Sequence, residues 1–353
     1  MKLVCIGDIL ITPEVMEKGA IGFDRYDEVK CLYFGPRNYD DFRVYQTKME
    51  KMGYDCEPMP EEIMKEIEDA DVLQVHMAPV GEAVFKRAKK LKILASNRGG
   101  SENLNIDAAT AYGVPVICNP AHNANAVAEM AVGLMLAENR NIARCSASVK
   151  SGIWREDFPN SGRIFEMQSK TVGIMGYGTI GRLLAKKLIN GFDAKVIAYD
   201  PYVPAEVMLE AGVTPVDKET LIRESDIISL HMRNTEETYH IIGRKEIAMM
   251  KETAILINTA RAHLVDNEAL IEALQQGRIM GAALDVYEKE PLDPKSPLLS
   301  LDNVILTTHQ AGVTVNAFED SPAMLLTQIE RFFNGETPLF LKNPSTMKKE
   351  CAK

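Results

Sequence analysis

The chain has few cysteines for its length, and none of them forms a metal or redox motif. Six cysteines are spread over 353 residues, and no two are spaced as C-x-x-C. This spacing argues against a zinc knuckle or a thioredoxin-like site, and so sparse a set does not build a disulfide framework. We therefore expect no metal site and a reducing compartment, the cytoplasm. The cysteines are Cys5, Cys31, Cys56, Cys118, Cys145 and Cys351.

Long apolar runs and an excess of positive charge are also missing. The longest apolar stretch, from Ala126 to Ala137, is interrupted by Glu129 and is too short to span a bilayer. The opening residues MKLVCIGDIL are broken by Gly7 and Asp8, which does not fit a signal peptide. With 40 basic and 50 acidic residues the net charge is -10, which argues against binding to nucleic acid or to an anionic membrane.

What the sequence does contain is a regular alternation of two patterns. Short apolar or β-branched runs begin near residues 3, 72, 92, 114, 171, 195, 226, 254 and 303, and helical-looking segments lie between them. This alternation predicts βαβ units and parallel sheets covered on both faces. The number of runs favours an α/β fold of two doubly wound parallel-sheet domains over a single barrel. Segment 18–45 shows neither pattern clearly, and we interpret it as a connection over the first sheet.

One long helical stretch, residues 123–148, interrupts the alternation. Its apolar residues recur at helical spacing and surround much of the helix. It is either a helix buried inside one domain or a helix that crosses between domains or subunits. Its position just before the second sheet slightly favours the second interpretation. That interpretation predicts a homodimer through this region, because a monomer would expose a large apolar patch.

The strongest local signal is the glycine loop G-Y-G-T-I-G, from Gly176 to Gly181. It follows the strand-like run TVGIM and precedes a helical segment, and the next strand ends at Asp200, 19 residues beyond Gly181. In a dinucleotide-binding loop each glycine has its own role. Here Gly176 permits a tight turn, Gly178 lets the backbone approach a pyrophosphate, and Gly181 lets the helix pack on the strand. The helix N-terminus offers N–H groups to the phosphates. A carboxylate at Asp200 accepts hydrogen bonds from a ribose 2′-OH and repels a 2′-phosphate, so we predict NAD and not NADP.

Candidates for proton transfer and anion binding follow three other apolar runs. His309 comes after NVILTT, His231 comes after IISL, and Arg261 closes AILINTA. Residues just after parallel strands lie at the carboxyl edge of the sheet, where such folds bind ligands. An imidazole titrates near neutral pH, and an arginine can hold a carboxylate with two hydrogen bonds. His309 is the favoured acid/base, and His231 is the alternative.

Four motifs occur in the order seen in D-isomer-specific 2-hydroxyacid dehydrogenases. They are GYGTIG with Asp200, NTAR at 258–261, LDVYEKEP at 284–291 and THQAG at 308–312. From about Arg98 to Gly312 the chain resembles that family, and in particular its phosphoglycerate-dehydrogenase-like branch. The resemblance implies a Rossmann NAD-binding domain over 119–313. It also implies a flavodoxin-like substrate domain over 1–118, completed by 314–353.

The resemblance also implies roles for residues of this sequence. Arg261 is expected to bind the carboxylate and carbonyl of the substrate, Glu290 to orient His309, and His309 to act as general acid/base. This agrees with the chemistry of oxidising a D-2-hydroxy acid, in which NAD takes a hydride and a base near neutrality takes the hydroxyl proton. The expected cofactor contacts are Gly176, Gly178, Thr179, Ile180, Gly181, Asp200, His231, Thr259, Ala260, Asp285 and Gly312.

Two segments depart from the family pattern. The loop at Arg98, Gly99 and Gly100 is expected to hold the substrate carboxylate through backbone N–H groups, but the next two residues, Ser-Glu, change its lining. After the catalytic histidine the family usually has an apolar residue, and this chain has Gln310. Both differences leave open which 2-hydroxy acid, or 2-oxo acid, is the substrate.

Two other interpretations of the same motifs remain. The chain could be an NAD(H)-sensing regulator of the same family without turnover, or a different NAD enzyme on a similar fold, such as a formate or S-adenosylhomocysteine enzyme. The intact set of Arg261, Glu290 and His309 favours a dehydrogenase. A sensor has less need of that set, and formate carries no hydroxyl proton to remove. The expected partners are a small 2-hydroxy or 2-oxo acid and a second copy of the chain, with no nucleic acid and no membrane.

Overall fold

The computed structural model describes residues 1–347, and the chain divides into two compact units. Unit 1 comprises Met1–Asn123 and the chain from Thr314 onward, and unit 2 comprises Ala124–Val313. Cys351 and residues 348–353 of the predicted first domain lie outside the described residues. Each unit contains one sheet whose strands pair in parallel, which confirms the predicted fold class.

The sheet of unit 1 has five strands in the order β2-β1-β3-β4-β5. Strands β3 and β4 are buried at every residue, because helices cover both faces of a doubly wound sheet. The strands are β1 (Lys2–Gly7), β2 (Glu28–Tyr33), β3 (Val72–Val75), β4 (Ile93–Ser96) and β5 (Val116–Cys118).

Strand β2 lies inside segment 18–45, so the prediction that this segment is a connection is wrong. The strand EVKCLY pairs in parallel with β1 at the edge of the sheet, and its first three residues are exposed. An edge strand that is partly solvated needs no continuous apolar run, and its polar residues concealed it in the sequence.

The helices of unit 1 include two from the C-terminal part of the chain. Leu325, Leu326 and Ile329 of the last helix are fully buried against apolar residues of the first sheet. Gly19 lets this helix approach closely, because a Cβ at that position would lie 2.6 Å from Pro322 Cβ. The helices are α1 (Pro13–Ala20), α2 (Tyr39–Met52), α3 (Glu61–Ile67), α4 (Glu82–Arg87), α5 (Ile106–Ala111), α13 (Val315–Glu319) and α14 (Ser321–Phe333).

The sheet of unit 2 has seven strands in the order β12-β11-β10-β9-β6-β7-β8. Its central strands are again apolar and buried. The strands are β6 (Thr171–Met175), β7 (Lys195–Tyr199), β8 (Thr214–Pro215), β9 (Ile227–Leu230), β10 (Ile255–Asn258), β11 (Gly281–Leu284) and β12 (Val304–Leu306).

Seven α-helices are described in unit 2, together with short 3-10 turns at Ala262–Leu264 and Pro297–Ser300. Asp217 and Asp266 accept hydrogen bonds from backbone N–H groups at the starts of two of these helices, as N-cap residues do. The helices are α6 (Ala124–Asn139), α7 (Ile142–Lys150), α8 (Thr179–Phe192), α9 (Ala205–Glu210), α10 (Lys218–Glu224), α11 (Arg244–Met249) and α12 (Asn267–Gln275).

The stretch 123–148 is not one helix. The chain breaks between α6 and α7, where Asn141 adopts a left-handed φ of 56°. Helix α6 is apolar because Ala131, Leu134 and Met135 lie in the core of unit 2. The favoured interpretation of a crossing helix is therefore wrong for α6, and burial inside one unit is correct.

A buried ion pair fixes the corner between α6 and α7. The Arg144 guanidinium donates hydrogen bonds to both carboxylate oxygens of Glu138, at 2.6 and 2.8 Å, and both side chains are more than nine-tenths buried. Burial raises the pKa of Glu138 to about 7, and the charge of Arg144 opposes this shift only in part. Gly281 leaves room for the carboxylate, since a Cβ there would lie 2.1 Å from Glu138 Oε1.

No helix within residues 1–347 has the length and apolar character that a membrane crossing requires. In the same part of the chain, no group of three or more His, Cys, Asp or Glu side chains is arranged to hold a metal ion.

Candidate active site

The predicted site residues of unit 2 lie along one edge of its sheet. Because all seven strands run in parallel, residues that directly follow them share the carboxyl edge. The residues that begin these connections are Gly176 after β6, Asp200 after β7, His231 after β9, Thr259 after β10, Asp285 after β11 and Thr307 after β12.

The glycine loop has the shape of a phosphate cradle. Gly176 has a φ of 98°, and a Cβ there would lie 2.7 Å from the carbonyl oxygen of His231. A Cβ at Gly181 would lie 2.3 Å from the carbonyl oxygen of Gly176, whereas Gly178 faces open space. Helix α8 begins with Thr179 and Ile180, and no side chain caps its first N–H groups. These N–H groups and the space above Gly178 can therefore receive an anion.

Asp200 ties the glycine loop to the end of β7. Its Oδ2 accepts a hydrogen bond from the Tyr177 N–H at 2.8 Å, and its Oδ1 accepts one from the Tyr202 N–H at 2.9 Å. A carboxylate oxygen has more than one acceptor site, so both oxygens can still accept from a ribose hydroxyl. The structure thus gives Asp200 a loop-positioning role that the sequence did not reveal.

Two buried polar atoms at this edge have no partner within the described residues. They are Nδ1 of His231 and Oγ1 of Thr259, on the neighbouring strands β9 and β10. Buried polar atoms are nearly always hydrogen-bonded, so two unpaired atoms side by side indicate a polar ligand. Nε2 of His231 is 2.9 Å from Ser229 Oγ, and burial lowers the pKa of His231 to about 4. His231 is therefore neutral at physiological pH and poorly suited to donate a proton.

The turn that carries Arg261 is fixed by a buried asparagine. Asn258 Nδ2 donates to the carbonyl oxygen of Arg261 at 2.9 Å, and its Oδ1 accepts from the Ala260 N–H at 3.0 Å. The Arg261 side chain is exposed, and its Nη1 donates to the carbonyl oxygen of Ala260 at 2.7 Å. Asn258 belongs to the NTAR motif, but no pattern in the sequence predicted this role for it.

The structure brings His309 and Glu290 together. His309 Nδ1 lies 2.8 Å from Glu290 Oε2, and Glu290 Oε1 accepts a hydrogen bond from the Tyr287 N–H at 3.0 Å. Both side chains are accessible, with 51% and 37% of their surface exposed. With Nδ1 directed at Glu290, Nε2 is the atom of His309 that can meet a substrate.

Asp285 fixes the loop that presents His309. Its carboxylate is fully buried and accepts hydrogen bonds from Thr307 Oγ1 at 2.6 Å, from the Gln310 N–H at 2.9 Å and from the Ala311 N–H at 2.8 Å. Gly312 follows at the end of this loop. Asp285 therefore contacts the residues on both sides of His309, and Gln310 contributes its backbone.

The predicted substrate loop lies after β4 in unit 1. Arg98 Nη2 is 3.6 Å from carboxylate oxygens of both Glu50 and Glu102. A Cβ at Gly99 would lie 3.0 Å from a proline backbone, whereas one at Gly100 would meet only the half-exposed carboxylate of Glu102, 2.2 Å from its Oε2, which can move aside. The arginine and both glycines thus share one loop, and Glu102 folds back over it.

Comparisons with known proteins agree with this geometry. Residues 132–311 match the family described as D-isomer specific 2-hydroxyacid dehydrogenase, NAD binding domain. The chain is 43% identical over 312 residues to D-3-phosphoglycerate dehydrogenase of Methanocaldococcus jannaschii, an alignment that covers 87% of this chain and 58% of that protein. It is 43% identical over 283 residues to hydroxypyruvate reductase of Thermotoga maritima, covering 79% of this chain and 87% of that one.

One solved structure aligns over nearly the whole chain. The D-lactate dehydrogenase with NAD+ from Lactobacillus jensenii aligns with a TM-score of 0.73 and 28% identity, over 97% of this chain and 99% of that chain. The glycine loop, Asp200 and the unpaired atoms of His231 and Thr259 fit the same cofactor, NAD. The chain therefore belongs to the D-isomer-specific 2-hydroxyacid dehydrogenases, a family of NAD-dependent oxidoreductases.

Proposed function

We propose that this chain interconverts a D-2-hydroxy acid and its 2-oxo acid, with His309 as the general acid/base. Glu290 is its partner, and Arg261 binds the carboxylate and the carbonyl oxygen of the substrate. The observation that carries this proposal is the 2.8 Å contact between His309 Nδ1 and Glu290 Oε2. This contact lies at the carboxyl edge of the sheet, where the glycine loop also lies. The proposed acid/base and the proposed cofactor loop therefore share one edge of unit 2.

The residues of the chain supply position, charge and a proton path. When bound, NAD accepts or donates the hydride at C2 of the substrate. In the reductive direction, Nε2 of protonated His309 gives a proton to the carbonyl oxygen as negative charge develops there, and the Arg261 guanidinium stabilises that charge. In the oxidative direction, neutral His309 takes the hydroxyl proton, and the Glu290 carboxylate stabilises the resulting imidazolium.

The proposed NAD contacts all lie in unit 2: the glycine loop, Asp200, His231, Thr259, Ala260, Asp285 and Gly312. In unit 1, the backbone N–H groups of Arg98, Gly99 and Gly100 are proposed to bind a carboxylate. A cytoplasmic location rests on the cysteine pattern, and the five cysteines within residues 1–347 are free thiols.

We also propose a homodimer, on a surface that keeps only the α7 part of the predicted region and extends beyond it. Helix α6 is buried in its own unit, but α7 and the segment after it expose four large apolar side chains: Ile142, Val149, Ile153 and Trp154. Ile142 and Val149 are seven residues apart and share one face of α7. An apolar patch of this kind on a soluble chain favours a second copy as its occupant.

The experiment that tests the activity is a screen of NADH oxidation over 2-oxo acids. The set includes glyoxylate, pyruvate, hydroxypyruvate and 3-phosphohydroxypyruvate, each tested with the wild-type protein and with His309→Gln. Turnover of at least one acid, lost in the variant, supports the proposal. Tight NADH binding without turnover of any acid would instead favour the NAD(H)-sensing regulator.

A further inference from the structure

Two cysteines are direct neighbours on adjacent strands of unit 1. Cys5 lies in β1 and Cys31 lies in β2, and the two residues are paired in the parallel register of these strands. Adjacent strands are about 5 Å apart, and paired residues point to the same face of the sheet. A disulfide requires Cα atoms about 4.4 to 6.8 Å apart. The register therefore places the two cysteines within the range that a disulfide can bridge.

Both side chains lie on the sheet face that α1 and α14 cover. Cys5 is fully buried in an apolar core together with Met16 of α1 and Leu325 of α14. Cys31 packs against the same core from the edge strand, where it is only half-buried. Both are free thiols in this structure. One thiol of the pair is thus accessible from the surface, and the other lies behind it.

The two thiols also differ in their ionisation. A hydrogen bond from the Cys5 thiol lowers the pKa of Cys31, and it outweighs burial and the charges of Glu17 and Glu14, which act in the opposite direction. The same hydrogen bond, together with complete burial, raises the pKa of Cys5 well above its usual range. Cys31 therefore ionises first, and the thiolate is the reactive form of a cysteine.

A glutamine on the next strand holds the Cys5 thiol in place. Gln74, in β3, is fully buried, and its Oε1 lies 3.7 Å from Cys5 Sγ, within reach of a hydrogen bond from sulfur. Its amide nitrogen donates to Asn97 Oδ1 at 3.1 Å and to the carbonyl oxygen of Pro322 at 3.3 Å, which fixes the orientation of the amide. An amide oxygen accepts from a thiol but repels a thiolate, so Gln74 favours the protonated form of Cys5.

We propose that Cys31 and Cys5 form a reversible oxidation site, in which hydrogen peroxide oxidises Cys31 and Cys5 then closes a disulfide between β2 and β1. A peroxide is the class of oxidant that fits, because it is small enough to reach a half-buried sulfur. The site lies within unit 1 and uses no residue that has a role in the proposed dehydrogenase function, so it goes beyond that function.

The reaction balances in two steps. The Cys31 thiolate attacks one oxygen of the peroxide, the O–O bond breaks, and the sulfur becomes a sulfenic acid, while hydroxide leaves and recovers as water the proton that Cys31 had lost. The Cys5 sulfur then attacks the Cys31 sulfur, the S–O bond breaks, and the hydroxyl leaves with the Cys5 proton as a second water. The two thiols lose two electrons, and the peroxide gains them. A sulfenic acid beside a second thiol condenses in this way and does not advance to the irreversible sulfinic acid.

Cys118 shows what distinguishes this pair from another buried strand cysteine. It lies in β5, and its register partner on β4 is Ser96, which cannot form a disulfide. Burial raises the pKa of Cys118 to about 11, so it is not ionised near neutral pH. Cys118 is therefore an internal reference for a thiol of unit 1 that peroxide should leave unchanged.

The test treats the full-length protein with hydrogen peroxide, alkylates the remaining thiols under denaturing conditions and maps tryptic peptides by mass. Trypsin places the two cysteines on separate peptides, residues 3–18 and 31–37. The expected product joins these peptides and is about 2 Da lighter than their sum, because two hydrogens are lost. Dithiothreitol should separate them again, and Cys118 should be recovered alkylated.

Three variants assign the roles. Cys5→Ser removes the second thiol, so peroxide should take Cys31 to sulfinic acid, about 32 Da heavier and not reversed by dithiothreitol. Cys31→Ser removes the thiol that reacts first, so Cys5 should be recovered alkylated. Cys145→Ser is the matched control, because Cys145 is also half-buried but lies on α7 of unit 2, and the joined peptide should form as in the wild type. The wild-type map decides the question if a variant does not fold.

Two results would overturn the proposal. One is sulfinic acid at Cys31 in the wild type with peptides 3–18 and 31–37 still separate, which would mean that Cys5 does not close a disulfide. The other is recovery of both thiols alkylated under conditions that oxidise Cys145. Neither result depends on turnover of any acid, so a failure here is distinguishable from a failure of the proposed dehydrogenase function.

Discussion

His309 occupies a backbone conformation that few non-glycine residues adopt. Its φ is 56°, and a left-handed conformation costs an L-residue about 1 to 2 kcal/mol. Asp285 offsets this strain by accepting hydrogen bonds from the N–H groups of Gln310 and Ala311, directly after His309. Strain of this kind persists where the surrounding structure over-determines it, and it accumulates at functional sites.

The proton-transfer role predicts a selective loss of turnover. His309→Gln removes the titrating group but leaves the glycine loop intact, so kcat should fall by about 10²- to 10⁴-fold. NADH binding, measured by fluorescence titration, should be unchanged. His231→Gln is the comparison variant, because His231 is the alternative acid/base and stays neutral. As a proposed NAD contact it is expected to weaken NADH binding, so kcat of both variants is compared at saturating NADH. A larger loss of kcat in His231→Gln than in His309→Gln would reverse the two assignments.

The cofactor preference predicts a change at Asp200. Asp200→Ala should weaken NAD by about 10- to 100-fold, since it removes a charged acceptor. Asp200→Asn keeps an oxygen that can accept from the Tyr177 N–H, and should weaken NAD less. Both should raise the NADP-to-NAD ratio of kcat/KM, because the charge that repels a 2′-phosphate is gone. An unchanged ratio in both variants would mean that Asp200 only positions the loop.

Site residues could be predicted from the sequence when they directly followed strands or belonged to a motif of the family. His309, Arg261 and the glycine loop were located in this way, and the pairing of His309 with Glu290 came from the family resemblance. A different kind of contact could not be predicted. In unit 1 the side chains of Asp8 and His76 lie 2.7 Å apart, although the residues are 68 positions apart in sequence and neither stands in a motif. Only the parallel pairing of β1 with β3 brings them together, so no local pattern could identify them.

Among the elements, the strands that are apolar on both faces were predicted well, and the others were missed. Strand β2 is a polar edge strand, and β11, with the sequence GAAL, lacks β-branched residues. It is a strand because β10 and β12 pair with it on both sides. The break at Asn141 was missed because the apolar spacing continues across it, while the turn depends on one residue's left-handed conformation.

The corner between α6 and α7 predicts a specific dependence of stability on pH. Glu138 holds its proton more tightly in the folded protein, where its pKa is about 7, than at its ordinary value of 4.5. A raised pKa stabilises the fold fully at low pH, and that contribution is lost as pH rises through about 7. The titration of Glu138 should therefore lower the unfolding free energy by about 3 kcal/mol between pH 4.5 and pH 7.

The measurement is urea unfolding of the wild type and Glu138→Gln at several pH values from about 4.5 to 8. The glutamine does not titrate, so the unfolding free energy of the wild type minus that of the variant should fall as pH rises. A difference that is constant over the range would contradict the titration of Glu138. A difference that grows would mean that Arg144 keeps the carboxylate ionised at every pH tested.

At the scale of the whole molecule, the exposed apolar side chains around α7 predict a dimer. Trp154 is 82% exposed, and tryptophan is enriched among residues that dominate interfaces. Trp154→Glu should weaken association by at least about 30-fold, the effect of losing one dominant residue. Light scattering after size-exclusion chromatography measures this, with Tyr39→Glu as a control at an exposed aromatic residue of unit 1. A wild-type protein that is monomeric at micromolar concentration would exclude the dimer.

The discontinuity of unit 1 determines the order in which the two units can fold during synthesis. Residues Leu325, Leu326 and Ile329 complete one face of the first sheet, yet the ribosome makes them after all of unit 2. Unit 2 can fold as its last strand emerges, while the first sheet keeps an uncovered apolar face until α14 is made. The part of unit 1 that precedes unit 2 in the chain can thus reach its native state only after unit 2 has been made, and until then its uncovered apolar face can associate with other chains.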